Sequence, residues 1–552
     1  MTRTFHPLVG LVALTIALAA WTSVHVPLFE APDAYHHYAV VEHLARTGEL
    51  PPRAAAASQP WRQMAYHAPL YYALGAVITA PLDTHDFLTD YRPNPHAQIG
   101  EPDAGDNVNF VAHLGDPWRD TGLAARLVRM ISAALAGVTV AGVYAISRVL
   151  LRGQRRVALV AAALVAFNPQ FVFIHASVSN DTLVIALTTL TLALTLAMMR
   201  WRLTTGGIIG LALLVALASI AKASGLALLP PVALGMLWAC RRQGVPAQRT
   251  AAYALTGALI WLGIAGWWYV WNWSTLGNPT GTEQIAAVTG ARVGGIQDLV
   301  GELRGLAFSF WGLFGWFNVR PPLAFYLLPG AIALAAMVGM GLYGRQIARG
   351  LRTPFGMAAA LLLLLYGLIF VGSWWHFHQM VNAAQGRLFF PLLGLIAPAL
   401  AYGLTRLPRA VPALAVAGLG LAAVALPPLV IAPAYATAPP SAAADTWAPP
   451  ADAIAYVVRE PWREASCLTL VTRPVTWDGE AQPIAVDVWW LVACPIEGQW
   501  SVFTHFVDVA LETCEPGVTD YILAQHDTMP QGGRLPGGPA TGARLAHSSG
   551  AV

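Results

Sequence analysis

Long apolar runs alternate along the chain with short polar connections. Runs long enough to cross a bilayer, roughly 17–25 residues, fall at about 8–26, 123–147, 157–174, 181–199, 205–221, 224–240, 252–272, 323–343, 355–372, 387–404 and 410–432. Each reads as a helix, giving about eleven spans. A further apolar stretch, 69–82 (PLYYALGAVITAPL), is too short to cross and reads as a re-entrant or interfacial helix. Past residue 432 the pattern changes. CLTLVTRPV, PIAVDVWWLVAC and WSVFTHFVDVAL carry β-branched and aromatic residues between turn residues, and read as strands.

Charge orients these elements. Arg148, Arg152, Arg155 and Arg156 follow the second run, and Arg200 and Arg202 the fourth. Arg241, Arg242 and Arg249 follow the sixth, Arg345, Arg349 and Arg352 the eighth, and Arg406 and Arg409 the tenth. Every second connection is basic, as the positive-inside rule expects of cytoplasmic loops. With Arg3 also inside, the N-terminus is cytoplasmic and the C-terminus extracytoplasmic. A crossing at 69–82 would turn every later basic loop outward, so all of 27–122 is expected outside. The triplet Ala17, Leu18, Ala19 also suits a signal peptidase, but cleavage there leaves that loop in place.

Composition agrees. The 552 residues are 56% hydrophobic and 11% charged, with a mean hydropathy of +0.54, whereas a soluble domain carries about a quarter charged residues. A net charge of +3 gives no case for nucleic-acid binding. The expected organisation is a multi-pass membrane domain over 1–432, a Pro/Ala-rich linker over 433–450 and a small β-rich extracytoplasmic domain over 451–552. Of four cysteines, Cys467 and Cys494 flank a plausible hairpin on the oxidising side. A disulfide between them fits that compartment; another strand register leaves them apart.

The candidate chemistry lies on the outer face. The first outer loop opens FEAPDAYHHYAVVEHLARTGELP. Helical spacing puts Asp33, His36, His37 and Val40 on one side. A carboxylate and imidazoles there serve as a general base or hold a metal ion; alternatively Asp33 only caps the helix and the histidines are solvated. Asp181, in SVSND, is either a helix cap or a second carboxylate beside Asp33. Lys222, in AKASG, either snorkels or holds a phosphate. Arg387, in QGRLFFP, either anchors to lipid head groups or binds phosphate oxygens through its planar guanidinium.

Taken in order, several segments resemble the GT-C superfamily of membrane glycosyltransferases, near the protein O-mannosyltransferases and the lipid A aminoarabinose transferases. The segments are FEAPDAYHHYAVVEHLARTGELP, YHAPLYYAL, LAARLVRMISAALAGVTVAGVYAISR, AFNPQFVFIHASVSNDTLVIAL and QGRLFFPLLGLIAPAL. The resemblance covers most of 1–432 and implies a bacterial α-helical polytopic membrane protein of GT-C type. It also implies roles. Asp33 would be the first-loop acid, a base or metal ligand, with Asp181 the second acid. Arg387 would bind the lipid-linked phosphate, with Lys222 a second candidate for the same role. The family pattern reads Pro-Asp-Glu where this chain has Pro32, Asp33 and Ala34, and Glu30 is a substitute for the missing acid. His67 and Tyr71 occupy the YHAPLYYAL motif, and with His36 and His37 join the substrate-binding candidates.

The reaction implied is transfer of a hexose or pentose from a polyprenyl-phosphate donor to a glycan, lipid or protein acceptor at the outer face of the cell membrane, with inversion. A divalent ion (Mg or Mn) on Asp33 and Asp181 is the cofactor this analogy allows. The C-terminal segment YILAQHDTMPQGGRLPGG resembles the end of small β-sandwich domains on membrane proteins of this type. It serves as a glycan-binding module or as a structural cap. The tail TGARLAHSSGAV is expected to lack the closing strands. Two other functions stay open: a transporter or flippase of lipid-linked sugars, and a non-catalytic assembly protein descended from a transferase.

Overall fold

The structure is a computed structural model. It describes residues 7–102, 107–290, 292 and 298–436, together with six C-terminal strands. The chain divides into two compact units. The first comprises Met1–Thr84, Gly122–Phe314 and Arg320–Ile431, and it is helical.

Among the described residues, nine helices are long and apolar enough to cross a membrane: Pro7–His25, Asp120–Leu150, Asp181–Arg200, Ala223–Arg242, Ala247–Leu276, Leu323–Leu342, Pro354–Met380, Gly386–Leu404 and Ala410–Ala434. The other two expected spans differ. The run 157–174 is a bent pair, Arg155–Ala166 and Pro169–His175, with 62° between its halves. The cause is local. Asn168 accepts the Phe171 N–H at 3.0 Å, and Pro169 at the first helical position starts a new helix without needing an amide partner. Counted as one span, the pair makes ten. Helix Thr205–Ala221 has 17 residues, about 26 Å at 1.5 Å per residue, against a hydrocarbon core of about 30 Å. The stretch expected to be re-entrant contains helix Leu70–Thr79, of ten residues, which cannot cross.

Asp181–Arg200 is the most enclosed of the nine spans. Its small neighbours let it sit centrally: the Gly142 backbone abuts Thr189 and Gly235 abuts Thr195. This buried axis brings the N-terminal end of the helix, with Asp181, into the middle of the first unit.

The second unit comprises His85–Thr121, Gly315–Val319 and Ala432–Val552. Its first two segments knit together. The Asn94 N–H donates to Phe110 O at 2.8 Å, the Asn318 side chain donates to Val108 O at 2.8 Å, and Phe110 stacks on Trp316 with centroids 3.8 Å apart. The strands are β1 Ile454–Val458, β2 Leu468–Thr472, β3 Ala485–Val492, β4 Val502–Val507, β5 Ile522–Thr528 and β6 Arg544–Ala551. They form one sheet of order β1-β2-β3-β6 and a separate pair β4-β5, with every pairing antiparallel. The tail, expected to lack a closing strand, supplies β6, which pairs along the whole length of β3. The packing a sandwich requires lies outside the described residues, as do Cys467, Cys494 and the disulfide expected between them.

Candidate active site

The site begins where helix Pro7–His25 ends. A helix leaves its last carbonyls without partners. Here the fully buried Arg129 supplies them, donating to Ser23 O at 3.0 Å, Val26 O at 2.9 Å and Pro27 O at 2.6 Å. The chain then turns sharply. Phe29 and Asp33 both adopt left-handed backbone, with φ of 68° and 65°. Asp tolerates that region, but a bulky residue does so only when its surroundings hold it there. Phe29 is buried and packs edge-on against Tyr35 and tilted against Tyr38. Helix Ala34–Thr47 starts immediately after Asp33, so Asp33 is not inside its first turn. Its carboxylate makes no cap; it points to Arg387.

Arg387 is the centre of the arrangement. Its Nη2 is 2.5 Å from Asp33 Oδ2, and its Nη1 is 3.5 Å from Asp181 Oδ2. Nη1 is also 3.4 Å from Pro32 O, and Nε donates to Gln385 Oε1 at 2.9 Å. The other oxygen of Asp181 pairs with Lys222. Asp181 therefore does not cap its helix either, since its carboxylate faces two cations. Two acids and two bases form one group of balanced charge, with Asp181 and Arg387 buried and Asp33 and Lys222 partly exposed. Burial opposes ionisation of Asp33. The Arg387 charge, helped by His37 and by the Arg387 hydrogen bond, outweighs it and holds the carboxyl below its ordinary value.

Two glycines make these placements possible. Lys222 is extended between helix Thr205–Ala221 and the turn Ala223–Leu228. A Cβ on Gly225 would lie 2.2 Å from Ala218 O, so only glycine lets that turn fold back and face Lys222 to Asp181. Arg387 follows Gly386, where a Cβ would lie 2.2 Å from Phe310 N and 2.4 Å from Leu306 O.

The charged group lies at the wall of a cavity of about 800 Å³ within the first unit, lined by Asp33, Asp181, Lys222, Arg387 and His67. Apolar side chains, including Leu226, Ala227, Ile369, Phe370, Phe377 and Leu388, line it as well. Hydroxyl and amide groups of Thr280, Thr282, Ser373 and Asn382 also line it. The lining thus combines ionic, apolar and hydrogen-bonding groups. That composition suits an amphiphile with a charged junction between tail and polar head.

The other candidates fall differently. His67 lines the cavity, and the Asn180 amide donates to its Nδ1 at 3.2 Å. Burial pushes its pKa down to about 4, so it is neutral. His36, His37, Tyr71 and Glu30 are not among the residues that line the cavity. His36 donates to Pro60 O at 2.7 Å, and His37 Nδ1 is 2.8 Å from the Tyr72 hydroxyl. Tyr71 receives the Ser179 N–H at 3.0 Å and lies 2.9 Å from Ser132 Oγ. Glu30 is fully buried in the turn after Arg129's carbonyls. These residues shape the site from behind.

A metal fits poorly. Among the described residues, no group of three or more His, Cys, Asp or Glu is placed to hold one. Asp33 and Asp181 are each already paired with a cation.

Sequence reasoning missed three participants. Arg129 sits in an apolar run, and only its rarity there marked it. Gln63 lines the cavity and donates to Asp33 Oδ1 at 3.3 Å. Glu302 gathers residues that spacing left unconnected. Arg292 contacts it at 2.6 Å, and His378, whose Nδ1 accepts the Ala383 N–H, contacts it at 3.2 Å. Trp374 stacks on His378 and donates to Ala383 O, which fixes a wall of the cavity next to the strand of chain leading to Arg387.

Comparison with known proteins places the chain. It belongs to the family described as predicted membrane protein (DUF2142), whose sequence profile matches residues 119–396, half of the chain. No curated protein matches it. Among solved structures it is similar to ArnT from Cupriavidus metallidurans, bound to undecaprenyl phosphate (13% identity, TM-score 0.42, covering 73% of this chain and 61% of that one). The apo form of the same protein gives 13% identity, a TM-score of 0.41 and the same coverage. The oligosaccharyltransferase of Archaeoglobus fulgidus, in complex with Zn and sulfate, gives 14% identity and a TM-score of 0.38, over 76% of this chain and 52% of that one. The chain spans about three-fifths of the length of ArnT. Both proteins are of the GT-C type that the sequence resembles.

Proposed function

We propose that this protein is a GT-C glycosyltransferase that moves a sugar from a polyprenyl-phosphate donor to an acceptor at the outer face of the membrane. The observation that carries the reading is the meeting of Asp33, Asp181 and Arg387, from three distant parts of the sequence, at one cavity that apolar side chains also line. A transporter of lipid-linked sugars has no need for a carboxylate held at the phosphate-binding cation.

In the proposed reaction the polyprenyl tail lies along the apolar lining, and its phosphate meets Arg387 and Lys222. The sugar projects into the polar part of the cavity. Asp33 accepts the proton of the acceptor hydroxyl as that oxygen bonds to the anomeric carbon. The bond from that carbon to the phosphate oxygen breaks, and its electron pair leaves with the polyprenyl phosphate. Arg387 stabilises the charge that develops there, the electrostatic contribution that is usually largest. A single displacement inverts the anomeric centre. Asp181 positions Lys222 and supplies the second carboxylate that Ala34 does not. No step passes through a metal ion. The N-terminus is read as cytoplasmic and the C-terminal strands as a small extracytoplasmic, sandwich-like domain.

The test is transfer by purified protein supplied with a panel of polyprenyl-phosphate hexoses and pentoses and with envelope extract as acceptor, reading release of polyprenyl phosphate. Asp33→Asn is expected to lower the rate by about 10²–10⁴-fold, the usual contribution of a general base. Undiminished release from a correctly folded variant removes Asp33 from the mechanism.

A further inference from the structure

The two carboxylates of the site are unequally provided for. Asp181 keeps Lys222 on one oxygen whatever Arg387 does. Among the described residues, Asp33 has two side-chain hydrogen-bond partners, Gln63 on Oδ1 at 3.3 Å and Arg387 on Oδ2 at 2.5 Å. Of the two, only Arg387 is charged. While it stays, both oxygens of Asp33 are engaged and its carboxyl is a poor proton acceptor.

We propose that Arg387 is a lock on the catalytic base which the donor's own phosphate opens. This rests on the glycosyl-transfer reading and adds to it an order of events. In the donor-free protein Arg387 holds Asp33 Oδ2. A phosphate entering the cavity offers the guanidinium a second anionic partner, which competes with Asp33 for Nη2. Arg387 keeps its Gln385 and Asp181 contacts and turns its Nη2 edge to the phosphate. Asp181 stays compensated by Lys222, whereas Asp33 loses its cation. Gln63 still holds Oδ1, so Oδ2 is the atom set free, in an unchanged position. A base released only by the donor is idle in its absence, so donor must bind before an acceptor hydroxyl is activated.

The lock makes Asp33 a competitor of phosphate for Arg387, and that competition is measurable without any transfer. Polyprenyl phosphate in detergent micelles is titrated into the full-length protein, with tryptophan fluorescence as the readout, since Trp268 and Trp374 line the cavity. Asp33→Asn is expected to bind about tenfold more tightly than the natural protein, the penalty lifted if the free Arg387 state is populated at roughly a tenth. Asn accepts the left-handed backbone at this position, and Asp33→Gly accepts it too and should show the same gain. Thermal melting of each variant checks folding.

Removing any negative charge near a bound anion also tightens binding, so the decisive comparison is made in a second background. In Arg387→Gln the lock has no bolt, and adding Asp33→Asn should give a clearly smaller gain than it does in the natural protein, the general charge effect alone. Coupling between the two substitutions supports the lock. An equal or weaker affinity of Asp33→Asn, or a gain of undiminished size in Arg387→Gln, overturns it while leaving the transferase reading in place. If Arg387→Gln alone binds polyprenyl phosphate as well as the natural protein does, the phosphate-binding role of Arg387 fails, and the lock fails with it.

Discussion

The Gly386 N–H donates to Ser309 Oγ at 2.7 Å, with the two backbones so close that no side chain fits between them. Helix Leu299–Trp311 therefore grips the chain one residue before Arg387. The position of the site's central cation is set by this contact as much as by its charged partners.

Gly386→Ala puts a Cβ against backbone atoms of Leu306 and Phe310, which cannot swing aside as a side chain would. The expected cost is about 1–3 kcal/mol of stability, with a loss of polyprenyl-phosphate binding as Arg387 is displaced. Gly330→Ala, in open space on helix Leu327–Leu342, is the control and is expected to be neutral or slightly stabilising. Unfolding of both variants in detergent checks the difference. Equal behaviour would show that the contact does not constrain Arg387.

Removal of the Arg129 guanidinium should be severe. Its three carbonyl partners end one helix and begin the turn that presents Asp33. Hydrogen bonds from a charged donor contribute about 1.5–3 kcal/mol each, and a Gln amide can keep one of the three, so Arg129→Gln is expected to lose about 3–6 kcal/mol and most transfer activity. Arg129→Lys keeps the charge but not the fork and should recover only part of it. Melting temperature and transfer rate, measured together, test this. A stable but inactive Arg129→Lys would locate the effect in the aim of Asp33.

Stability should fall on the acid side. Burial lowers the pKa of His36, takes His37 well below its ordinary value of 6.5 and brings His67 to about 4. Below pH 6.5 the unfolded chain takes up protons that the folded protein refuses. The unfolded state then binds more protons, so stability decreases with falling pH. The contribution is complete above about pH 6.5 and is lost on the way down to about pH 4. Melting in detergent across that window measures it, and His67→Gln should flatten the slope. A profile that stays flat for the natural protein contradicts the burial of these rings.

Much of the architecture could be read directly. Apolar run lengths and alternating arginine clusters located the helices, because a bilayer imposes both a length and a charge asymmetry. Asp33, Asp181, Lys222 and Arg387 stood out as ionisable residues in apolar surroundings. The break at Asn168-Pro169 was overlooked because mean hydropathy does not register a missing amide. The closing strand β6 was overlooked because Arg544–Ala551 has no period-two apolar pattern.

The sequence by itself determined which segments are long and apolar enough to cross a bilayer and which residues are costly to bury there, since those follow from side-chain chemistry alone. Tertiary structure decided which charges neutralise one another. A buried ion needs a partner within a few ångströms, and the partner of Asp33 is supplied 354 positions away by Arg387. It also decided that His36, His37 and Tyr71, neighbours of the site in sequence, stand behind it. Helical spacing fixes a side of a helix, but only packing fixes what that side touches.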